Sequence, residues 1–316
     1  MKKIFLADLK PGESFDTTFL LQTKDRRTGR NGKAYLDLEF RDVTGLIRGK
    51  LWDCDRVNCS VDVDDIVRAA GVAEDYLGSL QLSIVRIVRC PENGVDLRDY
   101  LPRSGQDAEE MYAALLARVE QLPEAPLREL LLLVLRDPEI AAKYKLAPAA
   151  MSIHHAFLGG LLEHVSSLWR LADRVCDHYA WLDRSLVLAG VVLHDIGKIE
   201  ELRFDRAFRY STRGQLLGHI VISLDIVKRK IDLIPGFPEK LRDRIEHIIL
   251  SHHGKLEFGS PKEPMFAEAL VVHYLDDIDS KLESVRAQYE ADSGRGGEWT
   301  SRNRALAREL LKTLSH

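Results

Sequence analysis

Cysteine is scarce in this chain: Cys54, Cys59, Cys90 and Cys176 are all it has in 316 residues, and none forms a C-x-x-C pair. That excludes a disulfide scaffold and fits a reduced, cytoplasmic protein. Long hydrophobic runs are missing. The basic start "MKKIFLADLKPGESF" is broken by Asp8 and Lys10, so neither a membrane anchor nor a signal peptide is expected. A large excess of one charge is missing too. The net charge is −4, so any affinity for nucleic acid has to come from a local patch. There is no internal repeat and no low-complexity tract. What remains, 45% hydrophobic and 30% charged over a length sufficient for two cores, is ordinary for a globular protein.

The two halves of the chain have different periods. In "KAYLDLEFRD", Leu36, Leu38 and Phe40 point one way while Tyr35, Asp37, Glu39 and Arg41 point the other. "LIRGKLWD" follows the Thr44-Gly45 turn, and two more strands flank Leu77-Gly78. Short strands with glycine-bearing turns and no intervening helix predict a small all-β barrel over residues 1–90. "CPENGVDLRDYLPRSGQD" reads as a linker over 91–107. From 108 to 316 the apolar spacing becomes helical, as in "MYAALLARVEQL", "LRELLLLVLRD" and "PEKLRDRIEHIILSHH", with a last helix expected from Asn303 to Leu314 after the loop "DSGRGGE". The expected fold class is multidomain: an all-β barrel, then an all-α domain.

Several histidines fall where core residues belong. Phe157, Leu161, His164, Leu168, Leu171 and Val175 share one helical face. His219 falls with Leu216, Ile220, Ser223 and Ile226, and His252 with Ile245, Ile248 and Ile249, with His253 beside it. His194-Asp195 ends the stripe of Val187, Val191 and Val192, and Asp276 follows Val272. One inward histidine is an ordinary hydrogen-bonded core residue. Five or six inward histidines and aspartates on separate helices need a common charge partner, and a divalent cation is that partner. Imidazole with carboxylate suits Mn, Fe, Ni, Co or Zn. The donors exceed the four of one tetrahedral site, and two metals bridged by a carboxylate use them fully.

The order His164, His194-Asp195, His219, His252-His253, Asp276, with "HDIGK" inside it, resembles the HD-domain metal-dependent phosphohydrolases over Ala108 to Leu282. The resemblance implies one metal held by His164, His194, Asp195 and Asp276, and a second held by His219, His252 and His253, with Asp195 bridging. Asp277 and Asp279 stand as alternates to Asp276. It also implies catalytic roles for Asp195 and Lys198, with Lys198 facing the phosphate rather than the metals and Gly197 leaving room beside the site. Two cations about 3.5–4 Å apart clamp a phosphate and generate hydroxide at neutral pH.

The barrel bears on the substrate. Lys24, Arg26, Arg27, Arg30 and Lys33 face a single acid, Asp25, in what reads as a basic hairpin loop. Beyond it Arg48, Lys50 and Trp52 share a face, and Tyr35 points outward. Basic side chains beside aromatics suit single-stranded nucleic acid, through phosphate pairing and base stacking. Trp52 fits the barrel core as well, and the core is the preferred reading of that residue.

The strand pattern resembles an OB-fold. OB-fold, linker and HD domain together, with "HHAFLGGLLEHVSSL" and "HYLDDIDSK", resemble the YhaM-type 3′-5′ exoribonucleases nearly end to end. That resemblance implies two divalent ions, manganese first, a single-stranded RNA or DNA substrate, and a homo-oligomer with no membrane partner. It makes His155, in the HH-x3-GG segment, a candidate substrate contact, although that side chain fits capping or packing equally. The competing expectation is an HD nucleotide phosphohydrolase whose barrel regulates or oligomerises. An RNA-binding protein with a structural metal is disfavoured by the full ligand set. A cyclic-dinucleotide phosphodiesterase is disfavoured because "HHGKLEFGSPKEP" lacks Gly-Tyr-Pro and Gly160 stands where that group has an extra Glu.

Overall fold

A computed structural model describes all of the chain except residues 1, 3, 30–31, 53, 55–59, 92–94, 151–156, 205–207 and 314–316. The chain forms two compact units, the first running through Arg103 and the second beginning at Ser104.

The first unit is a closed barrel of β1 (Ser14–Thr28), β2 (Ala34–Asp42), β3 (Gly45–Trp52), β4 (Ile66–Tyr76) and β5 (Ser79–Arg89), in the order β1-β2-β3-β5-β4. All pairs are antiparallel except β3 with β5. That is the five-stranded Greek-key arrangement of an OB-fold. The alternation read in β2 is observed: Leu36, Leu38 and Phe40 are buried with Phe19, Ile47, Leu51 and Leu82. The register of β4 with β5 shifts at the Ala70–Gly71 step, where Val85 is the extra residue of β5, and a Cβ on Gly71 would stand 2.0 Å from the Ser83 carbonyl oxygen.

Two expectations need correction in this unit. The basic hairpin loop is mostly strand, since β1 continues to Thr28 and carries Lys24, Arg26 and Arg27. The stretch expected as a linker is in part an appendage of the barrel. Val43 N–H donates to the Asp99 carbonyl at 3.0 Å, and the Tyr100 hydroxyl lies 2.6 Å from that of Thr18.

The second unit is helical: α1 (Ala108–Glu120), α2 (Ala125–Leu135), α3 (Pro138–Leu146), α4 (Gly160–His178), α5 (Arg184–Leu193), the single turn α6 (Lys198–Glu201), α7 (Thr212–Ile231), α8 (Glu239–Ser251) and α9 (Ala267–Ala291). A two-residue hairpin, β6 (Leu202–Arg203) with β7 (Arg209–Tyr210), precedes α7. Local chemistry sets the starts. Asp107, Asp137, Asp183 and Ser211 accept backbone N–H groups as N-caps of α1, α3, α5 and α7. α5 is buried along most of its length and packs against α2, α4, α8 and α9, so it forms the centre of the core.

The helix expected from Asn303 to Leu314 is absent among the described residues. Bridges Trp299–Leu311 and Asn303–Arg308 fold the segment into a hairpin-like turn instead. The Asn303 side chain accepts the Leu306 N–H at 2.9 Å and so stabilises the turn over a helix.

Candidate metal centre

The apolar helices end, or break, where the candidate ligands stand. His194 is the C-cap of α5 and His252 the C-cap of α8. His219 follows Gly218, whose φ of 72° interrupts α7. That break corrects one expectation: Leu216, placed on the His219 face by simple periodicity, is 77% exposed. Leu171, expected on the His164 face of α4, is also exposed, because the buried stripe drifts to Leu168, Ala172 and Cys176.

The structure brings the seven expected ligands together in two groups. His164, His194, Asp195 and Asp276 form one, and His219, His252 and His253 the other, with the ligand atoms of each group within 4.8 Å of one another. Asp195 lies between them. Its Oδ2 is 3.3 Å from His194 Nε2, and its Oδ1 is 3.3 Å from His219 Nε2 and 3.6 Å from His252 Nε2. Asp276 Oδ1 stands 3.2 Å from His164 Nε2.

Every one of the five imidazoles is held by its Nδ1. His194 Nδ1 donates to the Val191 carbonyl at 2.9 Å, His252 to Ile249 at 2.7 Å and His253 to Phe258 at 3.1 Å. His164 Nδ1 meets Asp279 Oδ2 at 2.8 Å, and His219 Nδ1 meets Glu201 Oε1 at 3.1 Å. Backbone carbonyls only accept, so the proton of His194, His252 and His253 sits on Nδ1 and the Nε2 lone pair is turned inward, while His164 and His219 have a carboxylate at each ring nitrogen. This is the outer arrangement of metal-binding histidines. Three buried atoms, His194 Nε2, Asp195 Oδ1 and His252 Nε2, have no hydrogen-bond partner. Leaving three such groups unpaired is costly, and a cation satisfies all three. The donor set therefore fits divalent metal.

The electrostatics agree. Burial pushes the Asp195 carboxyl up, but Lys198 and His194 more than offset it and hold the group well below the usual carboxylate range. Asp276 is likewise held low against its burial, chiefly by His164. Burial lowers His252, and burial with the neighbouring His252 lowers His253, so both favour the neutral, ligating form. His164 stands apart: burial alone would lower it, but Asp276 and Asp279 raise it to about 9, which favours its charged form, so it ligates only on giving up the proton those carboxylates favour.

Lys198 departs from expectation. Its ammonium lies 2.6 Å from Asp195 Oδ2, so it is a partner of the central carboxylate instead of turning away from the ligands. Burial lowers its pKa, while Asp195 and Asp276 raise it further. Gly197 serves the backbone, not the site. A Cβ there would meet the His219 carbonyl oxygen at 2.2 Å and Ser223 N at 2.6 Å, and Gly197 N–H donates to Ser223 Oγ at 2.8 Å. Gly197→Ala is expected to cost about 1–3 kcal/mol or more in stability by pushing α7 away. It should also weaken metal uptake through His219. Thermal melting with and without added metal checks this, and an unchanged melt with full metal content would contradict it.

Several residues of the centre are not evident from the ligand pattern. Asp279, an alternate ligand on sequence grounds, instead orients His164 and accepts the Ser167 hydroxyl at 2.6 Å. Glu201 accepts both the backbone N–H and Nδ1 of His219. His273 donates from Nδ1 to the His252 carbonyl at 2.8 Å. Only Asp279 carries a signal, its place one helical turn after Asp276, and that spacing marks the face it lies on but not its pairing with His164.

On the barrel, Tyr35 and Trp52 are cross-strand partners with ring centroids 4.8 Å apart. Trp52 is 46% exposed, which corrects its preferred placement in the core, because β3 turns Ile47, Gly49 and Leu51 inward instead. Lys50 Nζ lies 5.7 Å from the Tyr35 centroid, 5.6 Å from Trp52 and 5.2 Å from Tyr76, a ring the sequence reading missed. Tyr35, Lys50 and Tyr76, with exposed Arg48, line a groove of about 670 Å³. The remaining basic residues are less available. Arg27 pairs with Asp37 at 3.2 Å, and Lys24 donates to the Val61 carbonyl at 2.6 Å. Arg26 and Lys33 also have partners. Arg30 and His155 lie outside the described residues.

Among the described residues no helix is long and apolar enough to cross a membrane. The HD domain family matches residues 161–281. The second OB-fold domain of replication protein A from Methanococcus maripaludis, solved by NMR, aligns over 29% of this chain and 98% of its own, at 22% identity and a TM-score of 0.24. The 3′-5′ exoribonuclease YhaM of Bacillus velezensis is 34% identical over 308 residues, covering 96% of both chains. That of Bacillus subtilis is 34% identical over 309 residues, again 96% of both. The Geobacillus sp. protein is 35% identical over 298 residues, 93% of this chain and 90% of its own. With an HD domain at 161–281 and the match to these relatives running almost end to end, the chain belongs to the YhaM family of 3′-5′ exoribonucleases.

Proposed function

We propose that residues 108–316 hold two divalent cations and hydrolyse the terminal phosphodiester of single-stranded RNA, or DNA, from its 3′ end, while the barrel of residues 1–90 grips the strand. The observation that carries the reading is the set of five histidines locked by Nδ1 with Nε2 turned toward Asp195 and Asp276. His164, His194, Asp195 and Asp276 would hold one ion, and His219, His252 and His253 the other, with Asp195 shared. When bound, such ions supply positive charge for the phosphate oxygens and a hydroxide-like nucleophile at neutral pH. Asp279 and Glu201 keep the two outer imidazoles in the ligating tautomer. Lys198 keeps Asp195 ionised and places a positive charge at the edge of the centre. Family resemblance supports manganese, a homo-oligomer and a cytoplasmic setting. Metal analysis of protein purified without chelator, followed by digestion of a 5′-labelled RNA, tests the reading. Two ions per chain and a ladder shortening from the 3′ end are expected. Metal-loaded protein that hydrolyses nucleotides and leaves RNA intact would sink it.

The barrel's share is measurable separately. Tyr35→Ala with Trp52→Ala is expected to weaken single-stranded RNA binding by about 1–3 kcal/mol per base unstacked. Removing the charges of Arg48 and Lys50 should flatten the salt dependence by about 0.7 per lost phosphate contact. Turnover of a small chromogenic phosphodiester should stay at the wild-type value in both, because the metal ligands are untouched. An unaltered RNA affinity and salt slope would assign this face to solubility alone.

A further inference from the structure

We infer that the short turn Leu256–Phe258 seats the base of the terminal nucleotide, with the Phe258 ring as its stacking face; this rests on the exonuclease reading above. The turn is joined to the metal centre through its backbone, since His253 Nδ1 donates to the Phe258 carbonyl. The backbone of that residue therefore touches one of the ligand histidines at its outer nitrogen. Phe258 is nonetheless 58% exposed, and its neighbour Leu256 is exposed as well.

The turn is also braced by hydrogen bonds. Phe258 N–H donates to the Lys255 carbonyl at 3.0 Å, Gly259 N–H to that of Leu256 at 3.0 Å, and Ser260 Oγ bonds the Leu250 and Lys262 carbonyls. Gly259 at φ 80° closes it, a conformation that favours glycine. A phenylalanine ring on such a braced backbone has only two side-chain torsions left to fix when a base lies on it.

The charge beside the ring is suited to the same occupant. Lys255 Nζ sits over one face of the Phe258 ring, 5.5 Å from its centroid, and pairs with Glu257 Oε1 at 3.4 Å in an exposed ion pair, which leaves the other face to a base. An aromatic face with an adjoining ammonium matches a base with its phosphate, and because every base has a π-face the fit is sequence-tolerant. An enzyme that removes nucleotides one after another needs that tolerance at its terminal position.

Because the link to His253 is through a backbone carbonyl, Phe258→Ala removes the ring and keeps the link. The experiment compares wild type and Phe258→Ala on two RNAs, one ordinary and one whose 3′-terminal nucleotide lacks its base, with Phe258→Trp as the conservative control. On ordinary RNA, Phe258→Ala should lower kcat/KM about tenfold or more, and Phe258→Trp should restore most of it. The wild type should suffer the same loss on the abasic end, and the alanine variant should show no further loss there. Equal loss by the variant on both substrates would reduce Phe258 to a support for His253 and overturn the inference. Wild-type protein indifferent to the missing base would overturn it too, with the exonuclease reading intact. Wild-type protein inactive on RNA altogether would remove the reading on which it rests.

Discussion

Asp195→Ala should abolish RNA cleavage and strip the centre of metal. The residue is 2% exposed, and both of its oxygens face the cluster. Removing it leaves His194 and His252 without the anion they converge on, and leaves the Lys198 ammonium without its 2.6 Å partner. Losing a shared ligand removes several kcal/mol of transition-state stabilisation, or about a thousandfold or more in turnover. Asp195→Asn separates charge from shape: it keeps the volume and loses the anion, so metal content should fall almost as far. In contrast, Asp276→Ala removes a ligand from one group only and should leave the other group's ion bound. Metal stoichiometry by mass spectrometry, alongside single-turnover cleavage of one labelled RNA, reads both effects. Two ions and normal turnover in Asp195→Ala would mean that Asp195 joins nothing.

How far the sequence carries the centre follows from the physics of each residue. His164, His194, His252 and Asp195 were legible because burying them among Ile, Leu and Val is expensive without a cation, and that expense shows in periodicity alone. Their orienting partners were not. Asp279 meets His164 across 115 residues of chain, and no local pattern specifies that pairing. Carbonyls such as those of Val191 and Ile249 carry no sequence signal at all. The barrel followed from the period-two alternation of Leu36, Leu38 and Phe40. Trp52 was misplaced because an aromatic at a strand end satisfies either face, and only the pairing with Tyr35 decides it. The Leu216 face failed because Gly218 breaks the period on which the argument depended. The terminal helix failed because one asparagine side chain supplied a competing hydrogen bond.

Lys198→Ala should separate chemistry from metal binding. The ammonium is a partly exposed partner of the buried Asp195, so its loss from metal-free protein leaves a carboxylate in the interior without its nearest cation. Breaking such a pair from one side costs about 3–5 kcal/mol, and metal-free Lys198→Ala should melt well below the wild type. Added metal should restore most of that stability, because a divalent ion supplies the missing positive charge. The restoration should exceed the gain that the wild type shows, since there the lysine competes with metal for the same carboxylate. Metal content should therefore be retained. Turnover should not recover with it. A positive charge at the edge of the centre stabilises the charge that develops on phosphate in the transition state, and removing one such contact costs on the order of a hundredfold or more in rate. Lys198→Arg should recover part of the loss, because it keeps the charge but spreads it over a planar fork that cannot occupy the ammonium's position against Asp195 Oδ2. Melting curves with and without metal, stoichiometry, and single-turnover cleavage give three independent readings of one substitution. Fully metallated Lys198→Ala that cleaves at the wild-type rate would leave Lys198 as a structural counter-ion, with the chemistry carried by the metal ligands alone.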